Sequence, residues 1–433
     1  MNIAKPEIAG YALEALKKAG ADKAACSVSY GRKEEFNIEA NKFSLLRTLF
    51  NDSLTLKAIC GGRKGVANVN KLDKESIDSA VEDCITLAGS ATPDEAEDIA
   101  EKLENKSFDL SIGGADMDKL FSRTKEFIEQ LGDEFPKIVL EGMSTEFNSA
   151  HIKYLNSNGA EFDEDTEFYS FVTSFAAKDG DKSSSFNYYG ANTATLGSAF
   201  MDIGLQRALL DDSVKSLDTR MVDGKFVGKV IIMPTCDLIW STLFVNFLSD
   251  TSLVQGTSRW KDALGMKVAD PKLTMRIAPL RPNVVAGERF TADGYESRDA
   301  DIICDGVLKS FALSLYGSKK TGHPRALSTA FGSIDVNAGD TSLSDIIKGV
   351  DRGILLGRFS GASPGSSGDI SGVAKNSFLI ENGAVTDALS ETMVSFNIVD
   401  ALTSIPAISV ERSEDGASII PWCCFDGITI SGK

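Results

Sequence analysis

The feature that most constrains this fold is a change of hydrophobic period near residue 73. Upstream, Ala25 to Tyr30, Glu34 to Glu39, Leu45 to Phe50 and Ser53 to Ile59 are strand-like runs, and the turn Gly61-Gly62-Arg63-Lys64-Gly65 leads to another at Val66 to Val69. The pattern predicts a meander of hairpins. Downstream, Ile77, Ala80, Val81, Cys84, Leu87 and Ala88 recur at helical spacing before Gly89. That apolar stripe predicts a helix packed on the preceding sheet.

Both periods return along the chain. Residues 3 to 19 predict an amphipathic helix with Pro6 in its first turn and Gly20 as its stop, and Met117 to Leu131 predicts another, closed by Gly132. Strands are expected over Ile138 to Phe147, Ile152 to Leu155, Phe168 to Ala176 and Ser184 to Tyr189, with a helix over Ala194 to Leu210. The turn-rich residues around Val222 to Gly228 mark a domain boundary. The expected architecture is α+β: an N-terminal sheet-and-helix domain over 1–222, then a mostly antiparallel β domain over 223–433. The second opens on the strand Lys229 to Met233, Pro234 and a helix over 235–248. A length of 433 residues allows two or three domains at about 150 residues each.

Charge and cysteine usage exclude several functions. The 45 basic and 62 acidic residues give a net charge of −17, a field that repels phosphate backbones, so no direct nucleic-acid partner is expected. No segment approaches the roughly 20 apolar residues of a membrane span. The first eighteen residues carry lysines and glutamates at helical spacing instead of an export signal. Seven cysteines without framework spacing suit a reducing compartment, so a cytoplasmic location is expected.

Catalytic motifs are scarce. Catalytic zinc commonly takes several histidines, and this chain has only His151 and His323. His151 reads as a cross-strand residue and His323 as a surface-loop residue. Gly361-Ala-Ser363-Pro-Gly365 matches G-x-S-x-G, but Pro364, Gly365 and Gly368 forbid the helix that a nucleophile elbow needs, and residues 361 to 372 read as a Gly/Ser loop. The acidic run of Glu161, Asp163, Glu164, Asp165 and Glu167 reads as a solvated turn, and Pro93 to Asn105, with six carboxylates and one lysine, as a solvated linker or exposed helix. Cys423-Cys424 reads as ordinary packing, with thiol chemistry or metal capture as a lesser alternative.

Several ordered blocks nevertheless resemble one family. CSVSYGRKEEFNIEANKFSLLRTLFNDSLTLKAICGGRKGVANVNKL near the N-terminus, DADIICDGVLKSFALSLYGSKKTG at 299–322, GRFSGASPGSSGDISGVAKNSFLIENGAV at 357–385 and IIPWCCFDGITISG at 419–432 are similar to blocks of the TldD/PmbA family in the same order. That resemblance implies a zinc metalloprotease assembly, in a family also described as modulators of DNA gyrase. In its catalytic TldD branch an HExxxH helix supplies two zinc ligands and a general base. In that register Ile239 and Phe244 stand for the histidines and Trp240 for the glutamate, and none can ligate zinc or carry a proton.

The resemblance therefore implies the PmbA branch, also called TldE: a non-catalytic subunit with no catalytic, metal or cofactor residue of its own. Zinc would reside in a TldD-like partner, and unfolded or leader-like peptides would be the substrates. Dimerisation, with that partner or with itself, is expected on the same ground. Two alternatives stay open: a free-standing homodimeric metallopeptidase using His323 or cysteine ligands, and a non-proteolytic regulator such as a gyrase modulator.

Overall fold

Two long strands replace the expected meander at the N-terminus. In the computed structural model, which describes residues 4–362 and 364–432, β1 (Lys23–Glu39) and β2 (Lys42–Cys60) pair antiparallel along almost their whole length, with one irregularity at Asn37/Ile38. Gly31 does not break β1. Its Cα faces Asn51, and a Cβ there would lie 3.1 Å from the Asn51 carbonyl oxygen, so the glycine permits close strand approach in the middle of the hairpin. The expected 61–65 turn is likewise shorter: Gly61 and Gly62 take positive φ, and β3 (Arg63–Val69) begins at Arg63.

The first sheet runs β3-β2-β1, then β5 (Ile138–Asn156), β6 (Glu161–Asp179) and β4 (Lys106–Leu110). Helices α1 (Ile8–Lys18) and α2 (Lys74–Ser90) bury Leu13, Leu16, Ile77, Val81 and Cys84 against Val28, Leu54 and Leu56 of the sheet. That is the packing the apolar stripe predicted, except that Leu87 points off the sheet and is half exposed. Helix α3 (Met117–Glu134) places Leu120, Phe127 and Leu131 on the same sheet's core. The expected 194–210 helix is instead a short 3₁₀ turn at Phe200–Asp202 followed by α4 (Gln206–Lys215), and the strand expected at 184–189 lies at Asn187–Thr193.

Two acidic runs differ from their sequence reading. Glu161 to Glu167 is strand, not turn, because its carboxylates have partners: Lys153 bridges Glu161 and Asp163, and Glu167 accepts the backbone N–H groups of Ile112, Gly113 and Gly114. Pro93 to Asn105 is an irregular strap whose Ala96, Ile99 and Ala100 are buried. Its carboxylates link the two halves of the chain: Asp98 meets Lys23 at 2.5 Å and also Lys319, Asp94 meets Lys320 at 3.0 Å, and Glu101 accepts from the Tyr295 hydroxyl at 2.7 Å.

Between Thr193 and Thr219 the chain crosses to a second, mostly antiparallel sheet. At its centre, Lys225–Ile232 lies parallel to Arg352–Leu356 on one side and antiparallel to Ile419–Ser431 on the other. Alternation along the central strand sends Ile231 toward a core shared with Phe171, Phe200, Leu209 and Leu210 of the first half, while Val230 and Ile232 face the C-terminal core. The two halves thus share a hydrophobic layer. Among the described residues no helix is long and apolar enough to cross a membrane.

Candidate functional site

The central strand of the second sheet delivers the chain to the site. After Ile232 come Met233, Pro234 and Thr235, then α5 (Leu238–Leu243), which starts three residues later than expected and continues as a wider π-type turn over Phe244–Leu248. Ile239, Trp240, Leu243, Phe247 and Leu248 all lie in the C-terminal core, and Trp240 is only 4% exposed. Phe244 is half-buried and meets Phe331 with ring centroids 4.5 Å apart. The three degenerate positions are therefore packing residues.

Zinc does not fit this helix. Hydrocarbon and phenyl side chains hold no lone pair, and the indole N–H only donates. Among the described residues no group of three or more His, Cys, Asp or Glu side chains could hold a metal ion. His151, on β5, reaches Asp165 at 2.9 Å and Asp163 at 3.2 Å across the first sheet, whereas His323 places Nε2 3.0 Å from the Lys261 carbonyl and its ring beside Phe311. Each histidine thus has a local partner, and they belong to different parts of the fold.

The adjacent cysteines separate across the sheet. Cys423 pairs with Ile232 and faces the C-terminal core; Cys424 pairs with Ile231 and faces the shared core. Both are free thiols. Burial raises the pKa of both, Cys424 to about 11, and burial raises Cys236 to about 12, which keeps these sulfurs protonated and inert.

A cleft opens beside the start of α5. Two hollows, of about 220 and 260 Å³, share Tyr188, Thr235 and Asp237 as their common wall. The first is bounded by Ser241, Thr242, Arg358 and Phe359, the second by Gly190, Ser413, Asp415 and Ser418. Phe186 and Tyr188 are about half exposed, at 51% and 49%. The Arg358 guanidinium lies over both rings, 4.4 and 4.6 Å from their centroids, and donates to the Phe186 carbonyl at 2.8 Å. Among the described residues neither Arg358 nor Asp237 has an ion-pair partner.

The wall beyond Arg358 corrects the expected 361–372 loop. Arg358–Gly361 pairs with Asp369–Lys375, setting Gly361 against Gly372. A Cβ on either would come within 2.6 Å of the Phe359 ring, so these glycines make room for that aromatic. Ser363 of the G-x-S-x-G match lies outside the described residues.

Comparison with known proteins agrees with this geometry. Residues 228–432 match the PmbA/TldA metallopeptidase C-terminal domain. A metalloprotease of Methanocaldococcus jannaschii is 22% identical over 96% of this chain and 95% of its own length. The chain is similar to the TldD/PmbA family over nearly its whole length, and its C-terminal part carries that family's domain. Within that family, the Haemophilus influenzae PmbA homologue is 22% identical over 92% of this chain and 90% of its own. The same fold is seen in TldE from Thermococcus kodakarensis, with a TM-score of 0.84, 20% identity and coverage of 98% and 100% of the two chains. A Bacteroides thetaiotaomicron protein proposed to be a modulator of DNA gyrase gives a TM-score of 0.86, with 23% identity and coverage of 99% of each chain.

The family blocks flagged the chain containing Arg358, but no motif flagged Phe186, Tyr188 or Asp237 as companions. They converge only through the fold, from the Asn187–Thr193 edge and the start of α5. The alternation Phe186-x-Tyr188, with both rings exposed, is the one local signal that sequence alone could offer.

Proposed function

We propose that this chain is the non-catalytic subunit of a cytoplasmic zinc metallopeptidase assembly, and that its cleft holds an extended, unfolded peptide for a TldD-like subunit that carries the zinc. The observation that carries the reading is the joint state of α5 and the cleft beside it. Ile239 and Trp240 are committed to the core, while the adjoining cleft keeps the half-exposed Tyr188 ring, with Phe186 beside it under Arg358, and the Arg358 and Asp237 side chains, which have no ion-pair partner among the described residues. Binding and bond cleavage reside in separable groups, so a fold can retain the first without the second.

The chemistry of the cleft suits a peptide. Tyr188, with Phe186 beside it under Arg358, offers flat apolar area, Arg358 a planar donor set for carbonyl or carboxylate oxygens, and Asp237 an acceptor for peptide N–H groups. Free thiols throughout the chain support the cytoplasmic assignment. The test combines elemental analysis of the isolated protein with cleavage of an unstructured peptide, alone and with a TldD-like subunit. The expected result is no stoichiometric zinc and no cleavage alone, with cleavage when the partner is added. One zinc per chain with chelator-sensitive cleavage by the isolated protein overturns the proposal.

A further inference from the structure

A cavity of about 360 Å³ lies at the seam between the two halves of the chain. The first half supplies Leu103 from the acidic strap, Lys106 from β4 and Phe162 from β6, and the second supplies Tyr295, Arg298 and Leu327. Its floor is fixed by packing. Phe162 is 1% exposed and stacks on Phe290 with ring centroids 5.2 Å apart, while Phe290 pairs with Glu296 across a tight turn. None of the lining residues belongs to the cleft beside α5.

The charges around this cavity are unevenly matched. Glu296 is shared by two cations, Lys106 at 2.9 Å and Arg298 at 3.5 Å. Arg325, on the same wall, has no carboxylate partner among the described residues. Its guanidinium lies 3.7 Å from the Tyr295 ring centroid and donates to the Ala326 carbonyl at 2.6 Å, while the Tyr295 hydroxyl engages Glu101. Burial lowers the pKa of Arg325, the effect of a charge whose solvation is incomplete. With Glu104 counted, three cations face two carboxylates, so the wall carries one net positive charge. That balance suits a monoanion, and the Glu104 and Glu296 carboxylates disfavour a phosphate dianion.

We propose that this cavity binds a monocarboxylate carried on an apolar group, with the carboxylate on Arg325 and the apolar group against Phe162, Leu103 and Leu327. A guanidinium matches a carboxylate with two parallel N–H donors, and a concave apolar wall with a few placed polar groups is the usual form of a small-ligand site. The same chemistry is offered by a small free acid and by the C-terminal residue of a peptide. Because both halves line the cavity, its occupant ties the acidic strap and β6 to the Tyr295–Leu327 side. The inference uses no residue of the cleft beside α5, so it stands whether or not the peptide reading of that cleft holds.

The test is isothermal titration calorimetry of the full chain with phenylpropionate, phenylpropionamide, inorganic phosphate and the tripeptide Gly-Gly-Phe with a free or amidated C-terminus. One acid per chain is expected, with a dissociation constant on the order of 0.1–1 mM, the range for a ligand of about ten heavy atoms. Each amide should bind about ten-fold more weakly than its acid, and Arg325→Met should weaken the acids by a similar factor. Leu327→Trp, at a position 45% exposed, fills the cavity without removing charge and should weaken binding while keeping the parent's unfolding midpoint. Tighter binding of the free tripeptide identifies a peptide C-terminus as the source, and tighter binding of phenylpropionate a free acid. No binding of either acid at millimolar concentration, an amide that binds as well as its acid, phosphate binding more tightly than both acids, or binding untouched by both substitutions overturns the proposal.

Discussion

Replacing Asp98 with Asn should weaken the joint between the two halves of the chain, and only where a carboxylate would be ionised. Burial alone would raise the pKa of this group, but hydrogen bonds from Lys23, Lys319 and the Ile99 N–H outweigh it and hold the carboxyl at about 2. Against an ordinary value of 3.8, the displacement corresponds to roughly 2.5 kcal/mol of stabilisation at neutral pH. Lys23 and Lys319 are 42% and 38% exposed, so solvent screening brings the expected loss to about 1–2 kcal/mol. The sign follows from the depressed folded-state pKa: the contribution is complete above pH 4 and is lost as pH falls from 4 toward 2. Urea unfolding of wild type and Asp98→Asn at pH 7, 5, 4 and 3 measures it, with hydrogen exchange in the Leu315–Thr321 helix as the local readout. The gap between the two proteins should narrow below pH 4. A gap of equal size at every pH, or no coupling between Asp98→Asn and Lys319→Met in a double-mutant cycle, refutes the ion-pair account.

Gly65→Ala should cost about 2–4 kcal/mol in denaturant unfolding, because a Cβ would sit 1.9 Å from the Cys84 carbonyl oxygen and 2.7 Å from the Ala88 nitrogen, forcing α2 off β3. Ellman titration of the native protein should find only Cys60 and Cys304, with Cys60 slowed by the burial that raises its pKa, and the other five thiols only after unfolding. Arg358→Ala should weaken binding of an unstructured peptide by about ten-fold, read by fluorescence anisotropy, while leaving the unfolding midpoint unchanged.

The helices were the most legible part of the sequence, because a stripe such as Ile77, Ala80, Val81 and Cys84 has one period and one solution. Strand lengths were less legible. Gly31 and the polar residues Asn51 and Asp52 read as breaks, yet the pairing partner makes β1 and β2 continuous through them, and that partner is a tertiary fact. The acidic strap at 93–105 failed for the same reason: its lysine partners at 23, 319 and 320 are far away in sequence. For the site, the degenerate helix was legible to within three residues at its start, whereas the cleft was not, since Tyr188, Asp237 and Arg358 meet only once both sheets are in place.

Restoring the metal motif should fail for a reason the packing supplies. In Ile239→His/Trp240→Glu/Phe244→His, two of the three new polar groups enter positions 1% and 4% exposed, among Leu243, Phe247 and Leu248. An unpaired buried carboxylate or imidazole costs several kcal/mol, and loss of the Trp240 ring adds about 3–5 kcal/mol of lost packing. Burial raises the pKa of the Cys236 and Cys423 thiols, so recruiting either as a third ligand adds the cost of deprotonating a buried sulfur. The triple variant should therefore be destabilised by more than about 5 kcal/mol and should hold no stoichiometric zinc when folded. Trp240→Ala alone should account for a large share of that loss. A triple variant that unfolds at the wild-type denaturant concentration and carries one zinc per chain would mean that α5 can turn its face to the cleft, and that core packing is not what separates this helix from a catalytic one.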